Sequence, residues 1–498
     1  MSSASKKFNV EEEIKDAQRA TKLASPLWIL FAPIMILSIL AELVIAVFLR
    51  IWPSKESPDA PGVEGATPVP RKAKYIGDIF GYFNYMGVNR APEKRPTFAE
   101  GPDGDTSSTV WVDNHGYACV SVMDAKSVES LVVDIDHTKH KRTLCPLKFP
   151  VEGMLPNFYR NGERSAQFRK LFISYVPKSE HDEQFKIAVD AMKAEAKKWI
   201  AAEDGPRQKG DFIMHCINAF SSTLILGEPS LPVELMNEIS PLPFAMPCFP
   251  RFLPTFLFPK YWGMLKAREH LHKRVKASPR WDKILSKATE VGLTPSEACD
   301  TLVPIVGFNA LGLRASFGIA IDFLSIPTMN YAEELVKDPK ALESFAWEVM
   351  RFNGPVAMMP ARDEPTIIET SAGAKHAVKK GTILSTLLET TQLDPLVWPE
   401  PKSFQADRFL GTDSTTTKVN PWPTLGYAMP LGTIDDKKNY NSHCCVMARL
   451  NNRVVEAFIK MLADPSFPRY DLDLKIDEAS KKNMYSRKQA ETIAFHKK

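Results

Sequence analysis

The sequence predicts a mainly α-helical protein with a minor β region, preceded by an apolar N-terminal helix, and three observations predict it. Five segments, Phe185 to Ile200, Phe212 to Leu226, Thr301 to Leu324, Ala332 to Phe352 and Ala448 to Leu462, repeat apolar residues at three- and four-residue spacing, the period that returns side chains to one helix face. Two stretches, Thr109 to Val122 and Ile367 to Leu388, read instead as short strands. Pro26 to Leu49 is almost wholly apolar.

That apolar stretch is roughly two dozen residues long, which suffices for a helix to cross about 30 Å of hydrocarbon. Its long polar leader, the lack of a small-residue cleavage site and an interfacial Arg50 and Trp52 favour an anchor over a cleavable signal peptide. Glu42 near its end costs less than a charge at the bilayer centre. The expected organisation is a polar segment over 1–25, a single-pass transmembrane anchor over 26–50, a Pro-rich linker over 51–73 and a catalytic domain over 74–498.

Composition excludes other classes. With 44% hydrophobic and 24% charged residues the chain is far from the disordered range, and a net charge of +4 makes no electrostatic case for nucleic acid. The basic run His137 to Arg142 reads as a solvated face or an anion contact. Cys119, Cys145, Cys216, Cys248 and Cys299 stand apart, with neither zinc-site spacing nor disulfide density, so they read as reduced, buried apolar residues of a reducing compartment. Only Cys444 and Cys445 sit in a context that suggests chemistry.

Glu348 and Arg351 lie three apart on one helix face. On a surface such a pair contributes little. Here Phe345, Ala346, Trp347, Val349 and Met350 surround it, which implies burial, and buried charges need full hydrogen bonding. Arg408 supplies a third member of the network.

Glu348-x-x-Arg351, then Lys380-Gly381, then Asp394-Pro395 through Trp398, Phe404 and Arg408-Phe409, then a cysteine ahead of an amphipathic helix, resembles the C-terminal half of cytochromes P-450 in order and spacing. The resemblance implies that fold, with haem b (iron protoporphyrin IX) between two long helices and Cys444 as the axial thiolate, which pushes electron density onto the iron. Cys445 stays open as the alternative ligand; Cys444 is favoured because it falls three after Asn441. By the same resemblance Arg362 reaches a haem propionate, an arginine-carboxylate contact. Arg169 and Lys170, Asn441 and His443 join the cofactor-binding set, His443 chiefly through a loop hydrogen bond.

Two features select a branch of that superfamily. The helix from Thr301 lacks the acid-Thr pair that a monooxygenase uses to deliver protons to dioxygen. It carries Phe308-Asn309-Ala310-x-Gly312, which looks like the motif of the allene oxide synthase, hydroperoxide lyase and epoxyalcohol synthase family, where the asparagine faces the iron. An amide hydrogen-bonds a hydroperoxide without supplying acid protons. The cysteine loop from Leu425-Gly426 to Cys444 is longer than an oxygenase's and also resembles that family, as do Asp124 to Ser127, Ser165 to Lys170 and Phe467 to Asp471. Leu313, where a second glycine is common, and Cys445-Val446 after the ligand depart from its pattern and bear on the pocket formed with Phe308 and Gly312.

The implied enzyme rearranges polyunsaturated fatty-acid hydroperoxides to oxylipins without dioxygen, nicotinamide or reductase. Homolysis of the O-O bond, with Asn309 orienting the hydroperoxide, leads to an epoxyalcohol, allene oxide, aldehyde or hemiacetal, divinyl ether or cyclic product; the departures at Leu313 and Val446 lean toward the epoxyalcohol. A conventional monooxygenase of a lipophilic substrate and a non-catalytic haem-binding membrane protein are the rival readings. The expected location is an endoplasmic reticulum or plastid membrane.

Overall fold

The computed structural model describes residues 8–51, 57–75, 108–114, 117–128, 137–139, 162–175, 182–227, 231–239, 259–325, 334–352, 360–362, 365–385, 391–410, 448–474 and 490–496. In chain order the elements are α1 (Val10–Ile51), β1 (Thr109–Asn114), β2 (Tyr117–Val122), β3 (His137–Lys139), α2 (Gly162–Ile173), α3 (Glu183–Ala202), β4 (Arg207–Gln208), α4 (Lys209–Leu226) and α5 (Val233–Ile239). They continue with α6 (Pro259–Lys276), α7 (Trp281–Glu290), α8 (Pro295–Leu324), α9 (Pro339–Arg351), β5 (Pro360–Arg362), β6 (Thr366–Glu369), β7 (Lys375–Val378), β8 (Ile383–Ser385), α10 (Ala448–Ala463), β9 (Tyr470–Leu472) and β10 (Thr492–Phe495).

α8 is the spine. It starts at a capping box in which Thr294 accepts from the Glu297 backbone and Glu297 reaches back to Thr294, with Pro295 at the first turn where a missing N–H costs nothing. Packed on it are α2, α4, α6, α7, α9 and α10. Phe317 of α8 stacks on Phe458 of α10 at 3.8 Å, and Phe323 on Phe404 at 4.1 Å. Its far end is pinned by the buried pair of Lys209 Nζ and Asp322 Oδ1 at 2.7 Å and by Tyr470, whose hydroxyl donates to the Ile321 carbonyl at 3.0 Å. A helix so fastened along its length is a rigid platform for a site.

The strands form a five-stranded sheet in the order β1-β2-β8-β5-β3, a three-stranded sheet β4-β10-β9 and the pair β6-β7. Val69, Trp111, Val120, Val122, Val128, Ile368, Val378 and Leu384 make a small core of their own beneath the first and last of these. The expected strand run from Thr109 is a hairpin, Thr109 pairing with Val122, and the run from Ile367 breaks into β6, β7 and β8 with Gly373 and Gly381 at positive φ in the turns. The helix expected from Ala332 starts instead at Pro339: Asp338 caps it, accepting from the Lys340 N–H at 2.9 Å.

The largest departures lie at the N-terminus. α1 starts at Val10, with Glu11, Glu12 and Glu13 in its first turn complementing the helix dipole, so the polar segment is helical. It is also docked, with Ala17 wholly buried against α6. Gly263 of α6 is the close-approach residue, since a Cβ there would collide with Thr21 Oγ1. The expected linker is tied down as well: the Lys379 N–H donates to the Pro58 carbonyl at 2.7 Å, Ala60 to Ala377 at 2.8 Å and Thr67 to Lys375 at 2.8 Å. Its backbone has found an open sheet edge. Among the described residues no single helix is long and apolar enough to cross a membrane; the pair Val10–Pro26 and Ile29–Ala41, bent by 61°, passes together.

Candidate functional site

Glu348 and Arg351 sit at the C-terminal end of α9, and the structure brings Arg408 to them. Arg351 Nε and Nη2 donate to the two Glu348 oxygens at 2.8 and 2.9 Å, and Arg408 Nε donates to both at 3.1 Å. The remaining guanidinium hydrogens find carbonyls: Arg351 donates to Gln392 and Pro401 at 2.9 Å, and Arg408 to Pro399 at 2.6 Å and Ser403 at 2.9 Å. Glu348 also accepts from the Gln405 backbone at 2.9 Å. All three side chains are at most 5% exposed, and the network is satisfied on every side, which is the condition for burying charge. Burial holds the Arg408 guanidinium below its ordinary value although Glu348 opposes this. The network clamps α9 to the 391–410 segment.

A second polar junction lies outside the expected site. Ser371, in the β6-β7 turn, donates from Oγ to Asp124 Oδ1 at 3.1 Å or to Asp394 Oδ2 at 2.9 Å, and Asp394 also accepts from the Ala125 and Leu396 backbones. Burial raises the Asp394 carboxyl above its ordinary value. The junction joins the start of the 391–410 segment to β2 and β6. Asp124 and Asp394 are visible in the motifs as sequence; Ser371 carries no local signal, because only the pairing of β6 with β7 brings it there.

Position 309 lies in the middle of α8, one turn before Leu313 and two before Phe317 on the same stripe. Leu313 is buried at 1% exposure and Phe317 meets α10. α10 begins at Ala448, four residues after Cys444. Phe308, Asn309 and Gly312 are on α8 by backbone; their side chains, and Cys444, Cys445, Asn441 and His443 altogether, lie outside the described residues. Arg362 is placed on β5, paired with His137 of β3, while Arg169 is 8% exposed on α2 and Lys170 beside it lies 3.6 Å from Glu163. α2 and α10 both abut α8. As residue types, Cys444, Arg362 and Arg169 are the donors a haem takes, one soft sulfur for iron and guanidinium groups for propionates. Among the described residues no cluster of three His, Cys, Asp or Glu side chains competes for a metal.

Three of the remaining cysteines, Cys119, Cys216 and Cys299, are buried free thiols. Burial pushes Cys299 up to about 12 and Cys216 higher still, which keeps both inert.

Glu456, in the middle of α10, is held by Arg453 at 2.6 Å, and its carboxyl is pushed up to about 7, first by burial and then by Glu343. From its ordinary 4.5 to about 7 the folded chain therefore keeps a proton that the unfolded chain has lost. Stability must fall as pH rises through that window, by on the order of 3 kcal/mol. Urea unfolding between about pH 5 and about pH 8 will show this slope, and Glu456→Gln will flatten it.

A model of the family described as cytochrome P-450 matches residues 331–425, which contain the network and the segment it clamps. A cytochrome P-450 OleT variant solved with arachidonic acid superposes with a TM-score of 0.60, covering 87% of this chain and all of that one at 12% identity. The chain has the cytochrome P-450 fold, and its 331–425 segment is similar to that family.

By sequence it is similar to relatives named as a hydroperoxide lyase and a divinyl ether synthase. It is 26% identical over 230 residues to a chloroplastic fatty acid hydroperoxide lyase of Solanum lycopersicum, covering 39% of this chain and 48% of the lyase. It is 24% identical over 240 residues to a divinyl ether synthase of Allium sativum, covering 44% and 48%. The matched regions thus span about half the length of these relatives.

Proposed function

We propose that the protein is a haem-thiolate enzyme that rearranges polyunsaturated fatty-acid hydroperoxides to oxylipins, with an epoxyalcohol the favoured product. What supports this reading is that the sequence has Asn309 in mid-α8 where a dioxygen-activating enzyme bears an acid-Thr pair, on the helix whose Phe317 stacks on α10, which begins four residues after Cys444. Haem b, bound through the Cys444 thiolate, supplies one-electron cleavage of a peroxide bond.

Every other task falls to the chain. Asn309 binds the hydroperoxide through its amide, which donates and accepts without releasing a proton, and so orients the O-O bond. Leu313 and Phe308 wall the pocket, Gly312 leaves room for the acyl chain, and Val446 sets the cysteine loop. Arg362, with Arg169, Lys170, Asn441 and His443, holds the cofactor. Both oxygens of the product are already in the substrate, so no dioxygen, nicotinamide or reductase is drawn on. The segment 26–50 keeps the domain at an endoplasmic reticulum or plastid membrane, facing a reducing compartment, where such lipids dissolve.

Purified protein given 9- and 13-hydroperoxides of linoleic acid, without reductant, will consume them and return isomers by mass spectrometry. Product only with reductant and dioxygen would mean a conventional monooxygenase. Asn309→Ala will cut turnover about a hundredfold, or change the product ratio, with binding of the hydroperoxide weakened less. An unchanged rate and ratio would leave the amide without a role.

A further inference from the structure

The apolar half of α1 leaves the folded domain and must return to it. On the N-terminal side the helix is latched to α6: Arg274 Nη2 donates to Glu13 Oε2 at 2.7 Å, in a pair only 8% and 9% exposed, and His270 Nε2 lies 2.9 Å from Asp16 Oδ2. On the C-terminal side Pro58, Ala60 and Thr67 are hydrogen-bonded to β7 and to Lys379 just beyond it, and Arg71 bridges to Trp111 of β1. α6 and this sheet belong to the same domain, so both flanks of 26–51 lie on one side of any bilayer.

Distances rule out a crossing. From Ile51 to Pro58 the chain has seven residues, which reach at most about 25 Å when fully extended. The hydrocarbon is about 30 Å thick. A helix that had crossed by Ile51 could not bring Pro58 back to β7, and the returning backbone would lie in lipid without hydrogen-bond partners. Yet the segment, Glu42 and Arg50 apart, is mostly apolar: Leu30, Leu37, Leu43, Val44 and Phe48 are each more than half exposed. Pro26, which removes a helix hydrogen bond, stands where the axis turns by 61° away from the latched part.

We infer that residues 26–51 enter and leave the same leaflet, making the protein monotopic, with a single phospholipid leaflet as the partner of this surface. This rests on the proposed membrane association and replaces a crossing helix with an embedded one. The surface continues onto the domain, where Leu23, Trp262 and Leu265 line an open cavity of about 440 Å³ along the α1-α6 seam, with Lys266 and Glu269 at its polar margin.

Full-length protein bound to sealed phosphatidylcholine vesicles tests this. Ser5→Cys and Ser54→Cys, treated in turn with a membrane-impermeant maleimide and read peptide by peptide, are expected to react equally before and after detergent opens the vesicles. Protection of either cysteine until detergent is added means that the segment crosses, and overturns the inference. Failure of the protein to float with vesicles also overturns it; sedimentation then shows whether a second copy covers the segment. Hydroperoxide turnover, followed in the same samples, reports on the proposed chemistry separately.

Discussion

Replacing Cys444 with serine will abolish the red-shifted Soret absorption that carbon monoxide gives a reduced thiolate-ligated haem, and with it at least about a hundredfold of hydroperoxide turnover. The reason is electronic. A thiol titrates near neutrality and gives up its proton to a metal, whereas a serine hydroxyl does not, so the variant offers a weak neutral oxygen in place of an anionic sulfur. Cys445→Ser is the matched control and will keep both properties. If the pattern inverts, the ligand is Cys445; if neither substitution moves the spectrum, the haem-thiolate reading falls.

Replacing Glu348 with alanine will cost about 3 to 5 kcal/mol of stability, a large share of the roughly 5 to 15 kcal/mol that holds a folded domain together. Arg351 and Arg408 would keep their guanidinium groups at no more than 5% exposure with the shared carboxylate gone, and the Gln405 N–H would lose its acceptor. Arg351 holds the carbonyls of Gln392 and Pro401 and shares that of Ser403 with Arg408, so the 391–410 segment would loosen from α9. Denaturant unfolding measures the loss. A change below about 1 kcal/mol would show that the backbone carbonyls suffice to hold the arginines, and that the carboxylate is dispensable.

Much of this molecule is legible in the sequence because the signals are local. Apolar residues at helical spacing place α3, α4, α8 and α10 to within a few residues, except that α8 starts at Pro295, six residues before the periodicity becomes visible, where Thr294 and Glu297 form a capping box. The Glu348-Arg351 pair is recognisable because burial is implied by its own apolar neighbours. Arg408 comes from order along the chain. Ser371 could not be found this way, since it meets Asp124 and Asp394 from positions 247 and 23 residues away.

The N-terminus shows the boundary most clearly. Residue order alone establishes that 26–50 is apolar enough for lipid, that an amide stands at 309 and a cysteine at 444, and that these fall in the order of a cytochrome P-450; each is a property of residues and their neighbours in the chain. Packing chooses which surfaces meet: the latch of Glu13 on Arg274, the seating of 58–71 against the sheet, and so the side of the membrane to which the chain returns. Hydropathy measures what a segment can dissolve in, but where its two ends are held is set by contacts between residues hundreds of positions apart.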